Sequence, residues 1–225
     1  MIRIGGAMSD QNEVYVKKLW IMHECRNQMG RYQFYHGAKM HQETADLFAS
    51  REDCWIENND LGFFRGHDGI KRFFVDFHNK MDGDDLRGSF CQHDLTTEIM
   101  EVADDLQTCK AVWLSPGVET RRDPETGKLT SYWCWVKYAV DFVEDDGEWK
   151  FWHFTIYSDF FCDYYTAWVD VPYTTAATDE MLAPDEQITG EKSYVYTRDR
   201  VPVAWPKPPV PYKTYTGNTM TERQE

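Results

Sequence analysis

Two long runs of β-branched and aromatic residues in alternation, Ser131–Glu144 and Glu148–Phe160, are joined by Asp145-Asp146-Gly147. Alternation sends successive side chains to opposite faces, and an Asp-Gly pair suits a tight hairpin turn. The two runs are therefore read as an antiparallel pair. Ser89–Val102 and Leu106–Leu114 read as two further strands, with a loop at Asp123-Pro124-Glu125-Thr126-Gly127. Ahead of this meander the pattern is helical. Ile21, Cys25, Met29, Tyr32 and His36 recur at spacings of four, four, three and four, which stacks them on one helix face ending at Gly37. His41–Ala49 reads as a short helix, Cys54–Asn58 and Gly62–Gly66 as short strands, and His67–Met81 as a third helix. Helices first and then an antiparallel meander is an α+β order, without the alternation of βαβ units.

Aromatic residues make up 16% of the chain, too many for a disordered polymer. Asp and Glu outnumber Lys and Arg by 38 to 24, a net charge of −14 that disfavours a phosphate backbone, so no nucleic-acid partner is expected. No apolar stretch approaches the ~18–20 residues of a membrane span, and the first residues lack the form of a secretory leader. The six cysteines include no C-x-x-C pair and read as reduced, buried thiols. A cytoplasmic chain with no membrane partner is the expectation.

Six of the nine prolines fall at or after Pro184, so the end of the chain can be neither helix nor central strand. Residues 1–170 read as one domain, and residues 171–225 as an extended Pro-rich arm packed on that domain or on a neighbouring subunit.

Five features in order resemble the NTF2-like (SnoaL-like) superfamily. They are the long first helix, Ala45-Asp46-Leu47-Phe48-Ala49, Phe64–Ile70 leading into a helix, Gln92-His93 on a strand, and Asp146–Phe151 at the last hairpin. The resemblance implies a cone of three helices against a curved antiparallel sheet, enclosing a pocket for cofactor-free lyase or isomerase chemistry. Among its members, scytalone dehydratase and hexachlorocyclohexane dehydrochlorinase imply a catalytic His at His93 and a homotrimer. They also imply an Asp supporting that His, at the position where this chain has Gly37, and a catalytic Tyr at the position of His36.

Counting alternate residues from the Asp146-Gly147 turn gives an inward set. It contains Cys134, Val136, Tyr138 and Val140, then Trp152, Phe154, Ile156 and Ser158, then Lys110, Val112 and Leu114. Cys54, Ile56 and Asn58 join it, as do His93, Leu95 and Thr97, but no carboxylate does. Candidate catalytic residues are His93 as acid or base, His36 and Tyr32 as a second relay, Lys110 for a phenolate or enolate, and Tyr138 as a hydrogen-bonding phenol. Asn58, Thr97, Trp152, Phe154 and Ser158 are the candidate substrate contacts. Trp113, Trp133, Trp135 and Lys137 fall on the outer face, and so many aromatics there suggest a homo-oligomer, with a trimer favoured.

Neither the cysteines nor the histidines form a compact metal-ligand spacing, and the phosphate-cradling glycine motifs are absent, so the expectation is no metal and no cofactor. The mostly apolar pocket implies a small hydrophobic or aromatic substrate. The leading expectation is a lyase that dehydrates a hydroxylated aromatic compound through a quinone methide. Lignin-derived diarylpropane lyases, which also release formaldehyde and leave a stilbene, form one such group in the family. A simple dehydratase or isomerase of a polyketide or steroid-like substrate, and a non-catalytic binding module, are the alternatives.

Overall fold

The computed structural model describes residues 10–59, 61–123, 125–170, 183–186 and 195–221. Helix α1 spans Asp10–Gly37 and α2 spans His41–Ala45. Strands β1 (Trp55–Asn58) and β2 (Gly62–Arg65) follow. The third helical stretch begins as α3 (Gly66–Lys71), widens into a π-helical segment over Arg72–Phe77, and ends as α4 (His78–Asp82). Strands β3 (Phe90–His93), β4 (Thr96–Val102), β5 (Thr108–Arg122), β6 (Leu129–Asp145) and β7 (Glu148–Asp163) complete the sheet.

The seven strands run in the order β2-β1-β7-β6-β5-β3, with β4 also on β5. Every pairing is antiparallel except β1 with β7, so the curved, unclosed sheet is mixed. Helices cover its concave face, and the core between the layers is largely aromatic. Phe48, Phe74, Phe151 and Phe154 are almost wholly buried there and pack ring against ring at 4.9–5.7 Å.

Two features depart from the sequence expectation because backbone geometry interrupts alternation. Ser89–Val102 is broken at Asp94–Leu95, and the register shifts again between Thr96 and Ile99. Thr97 is consequently exposed, at a positive φ of 49°, and does not face the core. In β7 a bulge leaves Trp152 unpaired, between the pairs Asp141–His153 and Phe142–Phe151. An extra residue flips the face of what precedes it. Phe151 therefore fills the core, while Trp152 stacks on His153 and Tyr215, away from the expected pocket.

Strand β5 carries the largest correction. It continues through Ser115-Pro116-Gly117 to Arg122, and its core face is the set opposite to the one expected. Cys109, Ala111 and Trp113 pack in the main core. Val112 instead packs on the far face with Ala139, Tyr157, Trp205 and Met220, and Leu114 is exposed. Lys110 is also on that far face. Its ammonium donates to the Gly217 carbonyl at 2.5 Å and to Thr219 Oγ1 at 2.9 Å, and lies over the rings of Tyr212 and Tyr215.

The described arm residues 195–221 thus lie on the outer face of their own sheet. Tyr215 donates to the buried carboxylate of Asp141 at 2.9 Å, which His153 Nδ1 also reaches at 2.9 Å. Upstream, Asp185 accepts from the Arg65 backbone and from Arg72, fastening residues 183–186 to β2 and the π segment. Arm residues 171–182, 187–194 and 222–225 lie outside the described residues.

Trp113 belongs to the interior rather than to an outer aromatic face, and its indole N–H donates to Glu98 at 3.1 Å. Trp133 and Trp135 do face outward, where Trp133 stacks on Tyr164 and Trp135 on Phe160. Lys137, beside them, is paired with Asp159.

Candidate active site

The last turns of α1, the π segment and the open ends of β5, β6 and β7 enclose a cavity of about 110 Å³. A water takes a share of ~30 Å³ in the liquid, so this is room for about four waters, or one ring. The π segment supplies its apolar wall. A turn one residue wider than an α-turn brings Phe73, Phe74 and Phe77 all to the buried side. Ile156 and Val136 on the sheet face them. His36, Leu61, Met81, Arg121 and Phe161 are only half-buried and form the rim.

Of the residues proposed from sequence, Tyr32, His36, Asn58, His93, Tyr138 and Ser158 all line this cavity. Phe154 lies behind it, 4.9 Å from the Tyr32 ring. Lys110, Thr97 and Trp152 do not reach it. Three polar residues absent from the sequence reading do: Glu119, Arg121 and His78. The first two follow from the length of β5, since residues 115, 117, 119 and 121 continue its inner face. The structure pairs Arg122 with Leu129 at the foot of the hairpin, and the sequence clue to this was the loop between them. A loop at Asp123–Gly127 followed by a strand calls for a partner strand on its other side.

His93, Glu119 and Arg121 form a buried row. His93 Nε2 lies 3.1 Å from Glu119 Oε1, and Arg121 Nε donates to Glu119 Oε2 at 2.6 Å. The carboxylate that orients His93 therefore comes from β5, opposite β3, and not from the end of α1. Gly37 explains the exchange. A Cβ at this position would sit 2.9 Å from the Cys91 carbonyl, so helix and strand approach too closely for any side chain. Gly117 plays the matching part across the strand pair, where a Cβ would lie 3.2 Å from the His93 ring and 2.8 Å from the Gln92 carbonyl.

The charges in the row reinforce one another. Burial pushes the Glu119 carboxyl up, but Arg121 and the bond from His93 outweigh it and hold its pKa well below the usual range. Burial likewise works against a charged His93. The Glu119 carboxylate, with the polar groups of Cys134, Tyr138 and Cys91 close by, more than compensates, and the pKa of His93 stands well above that of an ordinary imidazole. His93 is thus poised as an imidazolium. Its Nδ1 has no hydrogen-bond partner among the described residues, so one of its protons is uncommitted.

The neighbours are held neutral. Burial, helped by the charges of His78 and His93, lowers His36 well below the ordinary value. Burial brings His78 down to about 4 while its Nδ1 bonds the Phe73 carbonyl at 2.7 Å. Burial raises Tyr32 and Tyr138, so both remain phenols, and Gln33 donates to the Tyr138 hydroxyl at 3.3 Å.

The fold also gathers donor sets that no sequence spacing revealed. His36, Cys91 and His93 offer ligand atoms within 4.8 Å of one another, as do His93, Glu119 and Cys134. Both sets share His93, whose Nε2 is engaged by Glu119, and Glu119 is itself held by the Arg121 cation. A cation salt-bridged to the carboxylate opposes a second positive charge there, so the donor chemistry fits a hydrogen-bonded acid better than a metal. Among the described residues, no helix is long and apolar enough to cross a membrane.

Comparison with known proteins places this architecture. The fold matches a candidate scytalone dehydratase from Novosphingobium aromaticivorans with a TM-score of 0.53 and 17% identity, covering 76% of this chain and 99% of the other. A type 3 hexachlorocyclohexane dehydrochlorinase from Novosphingobium barchaimii matches with a TM-score of 0.52 and 13% identity, over 70% of this chain and 99% of the other. No curated protein sequence matches the chain. The family model of the SnoaL-like domain matches residues 17–155, well over half of the sequence, and the chain belongs to that family.

Proposed function

We propose that the protein is a cofactor-free lyase that removes water from a hydroxylated aromatic compound, with His93 as its proton carrier. The observation that carries this reading is the row His93–Glu119–Arg121 in an apolar cavity one ring wide. A protonated imidazole there can give its uncommitted proton to a leaving hydroxyl and become neutral, while Glu119 holds the ring through its other nitrogen. The dehydratase and dehydrochlorinase named above share the fold, and both names describe eliminations, which favours the same class of reaction here.

The finer reading is a phenolic diarylpropane diol of lignin origin. Phenolate electrons expel the benzylic hydroxyl, which leaves as water with the His93 proton, and a quinone methide forms. Neutral His93 then takes the proton of the terminal hydroxyl. The oxygen electrons become the carbonyl of formaldehyde as the carbon–carbon bond breaks, and the bond's electrons restore the phenolate and leave a stilbene. One diol gives one water, one formaldehyde and one stilbene, and His93 ends protonated as it began. Tyr32 and His36, stacked at 5.7 Å, and Tyr138 would steady the intermediate by hydrogen bonding, with Asn58 and Ser158 as further polar contacts. The second ring would lie at the rim, beside Phe161.

The test is turnover of a phenolic diarylpropane diol followed by mass spectrometry. Stilbene and formaldehyde in equal amounts support the full sequence. Water loss alone reduces it to a simple dehydratase, and binding without turnover of any phenolic diol leaves a ligand-binding module. Assembly as a homotrimer belongs to the same reading. It is favoured by Leu19, Trp20 and Phe34 of α1, which are 65%, 61% and 82% exposed in the single chain, and a monomeric mass in light scattering would refute it.

A further inference from the structure

Arg121 has more donors than its one partner uses. Its Nε is bonded to Glu119, but its two terminal amino groups make no hydrogen bond among the described residues. The guanidinium plane is pinned over the Phe161 ring at 4.5 Å, and its side chain is 25% exposed at the cavity rim. Held on one edge by a carboxylate and on one face by an aromatic ring, the free fork has little freedom to turn away. A planar fork of this kind suits a planar oxyanion.

The charges of the cavity leave a place for such an anion. Arg121 and Glu119 cancel, and a protonated His93 leaves the row with one positive charge. His36 and His78 are held neutral, and no carboxylate other than Glu119 lines the cavity among the described residues. In a low-dielectric pocket an uncompensated cation is costly, and a ligand anion at the rim relieves it.

We propose that Arg121 is a specificity-determining residue, reading a ring-borne oxyanion on the substrate, a carboxylate or a phenolate, with the free N–H groups of its guanidinium. This deepens the lyase reading and rests on it for the word substrate. The subsite itself is a matter of binding. It supplies at the rim the cation that sequence reasoning had sought in Lys110. The anion and the uncommitted proton of His93 then lie on either side of one carboxylate, so one ring can present its oxyanion to Arg121 and its side chain to His93.

The experiment measures binding of matched pairs by calorimetry to the full chain: benzoate against benzamide, and 4-nitrophenolate against 4-nitroanisole. Wild type should prefer the anion of at least one pair by about tenfold or more, as expected for a charge-assisted hydrogen bond. The pair that shows the preference tells carboxylate from phenolate. Arg121→Gln should bring that ratio near one while leaving the neutral member's affinity unchanged. Arg121→Lys keeps the charge without the fork and should lose most of the ratio, which preserves the test if the Gln variant does not fold. Equal binding of anion and neutral analogue by wild type, failure of all four to bind, or a preference that survives Arg121→Gln overturns the proposal. Because no probe is a substrate, anion preference without turnover of any phenolic diol would sink the lyase reading alone. Turnover without anion preference would sink only the subsite.

Discussion

Replacing Glu119 by Gln tests the buried row with almost no change of shape. In wild type, Glu119 touches both cations, at 3.1 Å from His93 and 2.6 Å from Arg121. Two unit charges about 4 Å apart interact by ~4 kcal/mol at an effective dielectric constant near 20. Without the carboxylate, a charged His93 loses its one ionised hydrogen-bond partner, while burial still opposes its charge. Its pKa should fall. Losing one member of a fully buried pair costs about 3–5 kcal/mol, but His93 can shed its proton and Arg121 is partly solvated. A loss of ~1–3 kcal/mol is therefore expected.

The pH dependence is the sharper reading. The raised pKa of His93 contributes stability that is complete below its unfolded value of ~6.5 and is lost as pH rises through the folded pKa. The lowered pKa of Glu119 contributes stability that is complete above ~4.3 and is lost as pH falls through its folded pKa. The gap between wild type and Glu119→Gln should therefore be widest between about pH 4.3 and 6.5 and shrink above it. Urea denaturation across pH measures the gap, and NMR titration of the His93 ring measures its cause. A His93 titration unmoved by Glu119→Gln would refute the coupling, whatever happened to stability.

His93→Ala should lower turnover by ~10²–10⁴-fold with the fold intact by circular dichroism. Gly37→Ala forces a Cβ to within 2.9 Å of a backbone carbonyl and should cost ~1–3 kcal/mol in thermal denaturation, whereas an equally stable variant would show that α1 can move off β3. Lys110→Met should loosen the arm, seen as faster proteolysis after residue 195, and leave the affinity for benzoate unchanged. Burial holds His78 near pH 4 in the fold against ~6.5 when unfolded, so the unfolded chain binds more protons in that window and stability should rise with pH across it, by up to ~3 kcal/mol. His78→Gln should flatten that slope.

How far residues foretold structure depended on local punctuation. The β6–β7 hairpin was readable because Asp145-Asp146-Gly147 permits little else, with Asp146 at a φ of 50° and Gly147 at 80°. Tyr138 and Ser158 inherited a correct face from it. Strand β5 was not readable in the same way. Ser115-Pro116-Gly117 looks like a break, yet Pro116 needs no donor where its carbonyl accepts from Asp94 at 2.9 Å, and Gly117 makes room for His93. Ending the strand at Leu114 leaves Glu119 and Arg121 unassigned, two of the three residues of the charged row. The misplacement of Trp152 has another origin. A bulge depends on how two strands meet, and nothing in Phe151-Trp152-His153 announces one.

The outer face of the sheet has a consequence for biosynthesis. Lys110, Asp141 and His153 belong to strands that can pair as soon as β7 is made, yet their partners Tyr215, Gly217 and Thr219 follow some 50 residues later. During synthesis the sheet would therefore exist for a time with Lys110, Asp141, His153 and the apolar patch of Val112, Ala139 and Tyr157 uncovered. An emerging chain in that state is sticky, with polar groups still short of their partners. The segment that closes it covers, in cis, a face that the sheet alone leaves open.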